Sequence, residues 1–345
     1  MRRKFNRITI RDIAQELGIT AMTVSRALNN KPDISPETKE RVIETARRLQ
    51  YVQSALGQGL ASGYARAVGC VVTTLADPFA GRILEGIESV AREAGFALIV
   101  VTSQADPERQ RMTIVDTFNA YRVGGIIVMC SHFQQQYFSD LIKLKSPIVL
   151  INSEGATAGA NSVRIDEIHV ARLAVTHLVE LGHRRIAHLK VAADVISGQA
   201  RWVGYRQTLI DHGLPCDDTW TIETENSEAG GAAATRQLLE LDPRPTAIFC
   251  YNDRTAVGAL AALRQAGVNV PAAMSVVGVD NTPVAEWVTP PLTTVRQPAR
   301  QMGRLAMERI LHILRGDGEM KDIVLPGELI IRESTAPPPQ FEARL

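Results

Sequence analysis

Arg26 is the one long hydrogen-bond donor on the outward side of a short helix-patterned stretch, TAMTVSRALNN (Thr20 to Asn30). Val24, Ala27 and Leu28 recur there at three- and four-residue spacing and form a face to bury, which leaves Ala21, Met22, Ser25 and Arg26 facing out. A guanidinium on an otherwise slim helix can enter a major groove and pair with the O6 and N7 edge of guanine. A second group of candidates lies further along, just past apolar runs: Thr73, Asp77 and Phe79 after the first, Asn252 and Asp253 after IFCYN, Asp280 ending VVGVD, and Arg201 opening ARWVGY. In open α/β sheets, ligands bind beyond the carboxyl ends of the strands, where these residues would fall. Singly, each has a plainer role: Asn252 and Asp253 as helix caps, Asp280 in a turn, Arg201 in a surface ion pair. Their convergence on one cleft is what would make them a site.

Catalytic patterns are missing. The chain has no GxSxG, HExxH or phosphate-loop motif, its seven histidines show no metal spacing, and Cys70, Cys130, Cys216 and Cys250 are too scattered for a zinc site or a disulfide framework. His183, behind the helix-ending Gly182, reads as structural. An enzyme built on this sequence would lack a nucleophile, a metal and a cofactor, so none of the three is expected.

The elements that must position Arg26 are legible. Thr9 can cap a first helix, with Asp12 reaching back to it, and Ile13, Ala14 and Leu17 give that helix its apolar side. Gly18 allows a tight turn, and Thr20 caps the helix that carries Arg26. A third helix starts from Ser35 and Pro36, with Val42, Ile43, Ala46 and Leu49 as its covering stripe. The expectation is a three-helix domain over residues 1–53.

Charge supports a polyanionic partner for that end. Residues 1–64 carry 11 Lys or Arg against 6 Asp or Glu, leaving 27 against 31 for the remainder, although the whole chain is only +1. The basic start, MRRKFNR, is followed by no apolar h-region, and no run of about 18 apolar residues occurs, so export and membrane insertion are not expected. Thiols without pairing partners suit a reducing cytoplasm, the expected location.

From Val68 onward, apolar runs (AVGCVVTT, ALIVVTS, GGIIVMC, PIVLINS) alternate with helix-patterned segments. The alternation restarts after Asp166 through RIAHLKV, WTIET, TAIFCYN and MSVVGVD. This predicts two successive α/β lobes with parallel sheets over 67–345.

The N-terminal stretch is similar to the DNA-binding headpiece of the lac repressor (LacI/GalR) family, through TVSRALN (Thr23 to Asn29), ISPETKERV (Ile34 to Val42) and LQY (Leu49 to Tyr51). YNDRTAVGAL, SVVGVDN and PPLTTVRQP extend the resemblance over nearly the whole chain. It implies a helix-turn-helix headpiece on a two-lobed core like the periplasmic sugar-binding proteins. The first lobe would span about 67–166 and 298–324, and the second about 167–297 and 325–340. A hinge helix over 54–66 would join headpiece and core and place Leu60 in the minor groove, although Gly57 and Gly59 each cost about 1 kcal/mol relative to alanine inside a helix. The resemblance further implies a homodimer on pseudo-palindromic operator DNA. Thr20, Thr23, Ser25 and Asn29 would meet phosphates, while Ala21, Met22 and Arg26 would face base edges. Effector contacts carry over most directly onto Arg201, Asn252 and Asp280, and also onto Asp77 and Phe79.

Glu225 stands where relatives often place an aromatic ring against the effector. With Asp77, Glu225 and Asp280 opposing the single Arg201, a neutral polyhydroxylated ligand, sugar or sugar derivative, is favoured over sugar acids and phosphates. The short tail APPPQFEARL offers no tetramerising heptads. The alternatives are a cytoplasmic sugar-binding α/β protein, or an enzyme.

Overall fold

The computed structural model describes residues 8–51, 64–103, 106, 112–118, 120–129, 146–153, 160–317, 319 and 321–339. The expected hinge residues Gly57, Gly59 and Leu60 lie outside these. The chain forms two compact units, Met1–Ala65 and Arg66–Leu345.

The first unit is built from helices α1 (Ile10–Leu17), α2 (Ala21–Leu28) and α3 (Pro36–Arg48). Local chemistry fixes every start. The Thr9 amide donates to Asp12 at 2.7 Å, the Thr20 hydroxyl accepts from the Thr23 amide, and the Ser35 hydroxyl accepts from the Thr38 amide ahead of Pro36. Gly18 ends α1 with φ of +65°, a conformation open to glycine without steric cost. Ile13, Ala14, Val24, Ala27, Val42 and Ala46 form the buried core. One position differs from expectation: Ile43 is 42% exposed, and Thr45 takes its place beneath the helix. Burial on α3 follows the 42, 45, 46 spacing of one helical face, which position 43 leaves.

The second unit holds two six-stranded sheets. The first has the order β11 (Asp322–Leu325), β5 (Asn161–Ile165), β4 (Ile148–Ile151), β3 (Val123–Met129), β1 (Ala65–Val72) and β2 (Ala97–Thr102). The second has the order β12 (Glu328–Ile330), β10 (Thr293–Arg296), β9 (Ser275–Asp280), β8 (Ala247–Cys250), β6 (Ile186–Lys190) and β7 (Thr221–Glu223). Pairing in the second sheet is parallel except for β10 with β12. Strand β1 starts at Ala65, inside the span expected for the hinge, because Ala65 and Ala67 are buried beneath the sheet.

Each sheet has its own core. Helices α4 (Pro78–Glu93) and α9 (Ala299–Leu314) pack on the first sheet, where Ile83, Ile87, Met302, Met307 and Ile310 meet Val68, Val149 and Val163. On the second, α5 (Glu167–Glu180) and α6 (Ile196–Asp211) cover one face through Val170, Val175, Leu178, Tyr205 and Leu209, and α7 (Glu228–Leu239) and α8 (Asp253–Gln265) cover the other. The chain passes between the lobes near Asp166, near Gln297, and again between β11 and β12. His183 is structural, meeting Thr246, Ser275 and the Ala336 carbonyl at 2.9–3.0 Å and tying the C-terminal segment to the second lobe.

Candidate functional site

In the first unit, α2 presents its outer face to solvent. Met22 is 70% exposed on that face. Arg26 is not a loose donor: Nε and Nη2 hold the Asp33 carboxylate, each at 2.7 Å. That pair raises the Arg26 pKa, the hydrogen bond to Asp33 being the main cause, and holds Asp33 below the usual carboxylate range. Ala21 sits half-buried against the headpiece core rather than fully outward. The Thr20 and Thr23 hydroxyls meet at 2.9 Å, Asn29 donates from its side chain to the Ser25 carbonyl at 2.8 Å, and Ser25 is half-buried.

In the second unit, the carboxyl ends of strands from both sheets open on one narrow cleft of about 90 Å³. Thr73 and Asp77 follow β1, Asn152 follows β4, Tyr251 and Asn252 follow β8, Asp280 ends β9, and Gln297 follows β10. Phe79, Ser197, Arg201 and Asn226 complete the polar and aromatic lining, above Met129 and Ile151. Six of the seven expected effector residues are therefore brought together: Thr73, Asp77, Phe79, Arg201, Asn252 and Asp280. Glu225 is not. It lines a neighbouring hollow of about 380 Å³ with Val191, Val195, Glu223 and Thr224, and its neighbour Asn226 borders both spaces.

Local structure explains each placement. Asp77 caps α4, accepting from the Phe79 amide at 3.0 Å, and burial pushes its carboxyl pKa up. Asn252 caps α8, accepting from the Thr255 amide at 3.1 Å, so the plain role and the cleft position coexist; its side-chain amide also donates to Asn226 at 2.8 Å. Its neighbour Asp253 turns away, accepting from Thr282 and Thr294 in the lobe interior. Asp280 adopts φ of +110°, a strained backbone position of the kind that clusters at ligand sites. Burial drives its carboxyl well above the ordinary range, despite the opposing pull of Arg201, and the Gln297 amide donates to it at 2.6 Å. The other side-chain atom of Gln297, Oε1, is buried without a partner, as is Asn152 Oδ1.

Arg201 is the only cation among the described residues of the cleft. It is no surface ion pair. Its Nε and Nη2 hold the Glu167 carboxylate at 2.7 and 3.1 Å, its Nη1 donates to the Tyr251 carbonyl at 2.5 Å, and the guanidinium lies 4.6 Å from the Tyr251 ring centroid. Burial alone would lower its pKa, but Glu167 and its other neighbours outweigh that and hold it charged. Sequence reading missed Glu167, Tyr251, Ser197, Asn226, Asn152 and Gln297. Only the strand-end rule could have found Tyr251, Asn152 and Gln297; Glu167 lies 34 residues from the arginine it meets and carries no local signal.

Comparison with known proteins agrees with this architecture. Residues 9–54 match the model of bacterial regulatory proteins of the lacI family, and residues 175–335 match a periplasmic binding protein-like domain. The chain is similar to catabolite control protein A of Priestia megaterium, with 32% identity over 330 residues covering 95% of this chain and 99% of that one. The chain belongs to the lacI family. Among other members, the HTH-type transcriptional repressor PurR of Vibrio cholerae is 31% identical over 328 residues, covering 94% of this chain and 97% of that one. The lac repressor dimer bound to operator and the anti-inducer ONPF superposes with a TM-score of 0.85 at 29% identity, covering 96% of this chain and all of that one. A transcriptional regulator CelR–cellobiose complex gives 0.72 at 30% identity, covering 95% of this chain and all of that one. As a lacI-family member the chain is a DNA-binding transcriptional repressor that answers to a small-molecule effector, not an enzyme.

Proposed function

We propose that this lacI-family protein acts as a homodimer on a pseudo-palindromic operator, and that a neutral, sugar-like effector held in the cleft of the second unit modulates that binding. The carrying observation is the convergence of Thr73, Asp77, Arg201, Asn252 and Asp280 from both lobes on one cleft, with carboxyl groups outnumbering the one described cation. Carboxylates and amides accept hydrogen bonds that sugar hydroxyls can donate. Relatives of similar architecture were solved with cellobiose and with ribose, and the lac repressor on its operator was solved as a dimer, which supports both parts of the reading. The cleft is far smaller than the roughly 300–1,000 Å³ of ordinary small-molecule sites. An effector must therefore part the lobes or displace side chains, and either movement can be transmitted along the three crossings.

On the operator, Met22 and Arg26 reach base edges, with Ala21 beside them at the groove, while Thr20, Thr23, Ser25 and Asn29 hold the backbone. The test is a titration of the full chain against pseudo-palindromic operator fragments by fluorescence anisotropy, with and without a panel of neutral sugars, together with light scattering. Dimers whose operator affinity shifts with one sugar class are expected. A stable tetramer, or operator binding insensitive to every ligand that raises the melting temperature of the core, would overturn the reading.

A further inference from the structure

Glu167 is not among the described lining of the cleft, yet it governs the only described charge there that could attract an anion. It is the first residue of α5, directly after the chain crosses between the lobes at Asp166, and it grips Arg201 from behind. The two side chains are 9% and 3% exposed, so solvent does not compete for the pair. Three of the five guanidinium N–H groups are taken, two by Glu167 and one by the Tyr251 carbonyl, which leaves at most two to point at a ligand. These can still donate to a hydroxyl. They cannot offer net positive charge, because the Glu167 carboxylate already balances it.

Nothing else described in the cleft could compensate an anion. Asp77 and Asp280 bring carboxyl groups, and Thr73, Ser197, Asn226 and Asn252 are neutral. Asp280 also interacts with Arg201 at a distance, but its hydrogen bond is to Gln297 and burial drives its carboxyl above the ordinary range, so Glu167 is the carboxylate that holds the fork.

We propose that Glu167 sets the charge class of the effector: by neutralising Arg201 it turns an anion-binding guanidinium into a neutral hydrogen-bond donor, so the cleft accepts polyols and refuses carboxylates and phosphates. This rests on the reading of the cleft as the effector site. It adds the residue responsible for the selectivity and predicts that the selectivity can be reversed by one substitution. Glu167→Gln keeps the shape and one acceptor for Arg201 while removing the balancing charge, and so exposes a cation.

The experiment uses the full chain and two kinds of probe in calorimetry. The first is inorganic phosphate, which tests the charge on Arg201 whatever the natural effector is. Wild type and Glu167→Asp are expected to bind phosphate only weakly. E167Q gains roughly ten- to a hundredfold in affinity, the range of a hydrogen bond to an uncompensated charge, and E167Q/R201Q loses the gain. The second probe is a set of matched pairs, glucose with glucuronate and galactose with galacturonate. The wild type takes a neutral member and rejects its uronate, and E167Q narrows or inverts that ratio. The proposal is overturned if E167Q binds phosphate no better than wild type, or if its gain survives the loss of Arg201. Should E167Q fail to fold, the wild type decides: phosphate or a uronate binding as tightly as a neutral sugar would overturn it. If no neutral sugar binds, the sugar reading fails, while the phosphate comparison still judges Glu167.

Discussion

An arginine fork holding a carboxylate through Nε and a terminal nitrogen recurs in the molecule, and two of its occurrences sit in different solvents. Arg26 and Asp33 form it in the headpiece with side chains 45% and 48% exposed, and Arg201 and Glu167 form it in the core at 3% and 9%. Their geometry is nearly identical, at 2.7 Å through Nε in both. Their consequences are opposite. Water and salt screen the first pair, so it contributes about 0–1 kcal/mol and can open when a base edge is offered. The second has been stripped of water, and neither partner can leave without stranding the other as a buried charge. An arginine meant to trade partners belongs at the surface, and one meant to stay in register against a ligand belongs inside.

The largest effect expected from this contrast is on stability. Glu167→Ala should destabilise the core by about 3–5 kcal/mol, the usual cost of removing one member of a buried pair. Replacing both members by apolar residues of similar size, E167L/R201M, should restore much of the loss, since it removes the stranded charge together with its partner. Urea unfolding of the full chain, followed through tryptophan fluorescence, would read both. A double variant as unstable as the single one would show that the pair is not isolated from water as its burial implies.

Burial also predicts a pH dependence in the same lobe. His188 is fully buried between Tyr205 and Phe249; its Nδ1 meets the Phe249 carbonyl at 3.0 Å and its Nε2 has no partner. Burial lowers its pKa from 6.5 to about 4. The native ring thus stays neutral where the unfolded ring takes up a proton, so stability is lost as pH falls from about 6.5 to about 4 and the dependence ends below that. The full span corresponds to on the order of 3 kcal/mol. His188→Gln should flatten that part of the profile, read as the urea midpoint against pH. An unchanged slope would place the titration elsewhere.

What the sequence disclosed divides along similar lines. Headpiece caps at Thr9, Thr20 and Ser35, and strands rich in Val and Ile such as β1, β3 and β9, announce themselves through local spacing. Strands β5 and β10 do not, because they are short and carry Asn161, Ser162, Arg164, Thr293 and Thr294, whose polarity reads as loop. Their groups find partners in distant chain, Arg164 in Asp322 and Thr294 in Asp253. The candidate cleft residues that cap a helix or end a strand were visible for the same local reason. Glu167 was not, since it acts through Arg201, remote in sequence, and Gln297 was not, since the strand it follows, β10, is itself hard to read. Glu225 matches a cleft position in the resemblance, but in the structure Asn226, at the bend after β7, lines the cleft and Glu225 lines the neighbouring hollow.

In the headpiece the comparison is sharpened by binding rather than unfolding. Arg26→Ala should weaken operator binding by about 1–3 kcal/mol and relax the preference at one position of each half-site, because a bidentate contact to guanine reads that base directly. Anisotropy titrations against operators changed one base pair at a time would show it. Equal weakening on every sequence would make Arg26 a backbone contact.

The smallest effect is expected at Asp33. Because the exposed pair is worth so little, Asp33→Ala should change headpiece stability by less than about 1 kcal/mol. Its effect on the operator follows from two contributions of the same sign. Asp33 holds the Arg26 fork that a guanine would need, and its own negative charge must come close to the phosphates when α2 enters the groove. Removing it releases the donor and removes a repulsion, so D33A should tighten operator binding by up to about 1 kcal/mol, with the larger part on non-specific DNA, where only charge is read. Discrimination between operator and random sequence would then fall slightly although affinity rises. If D33A instead weakened operator binding by more than about 1 kcal/mol and erased the preference that Arg26 confers, the pair would have to persist on DNA, with Asp33 aiming Arg26 at its base. The exposed motif would then be working as the buried one does, by holding an arginine in place.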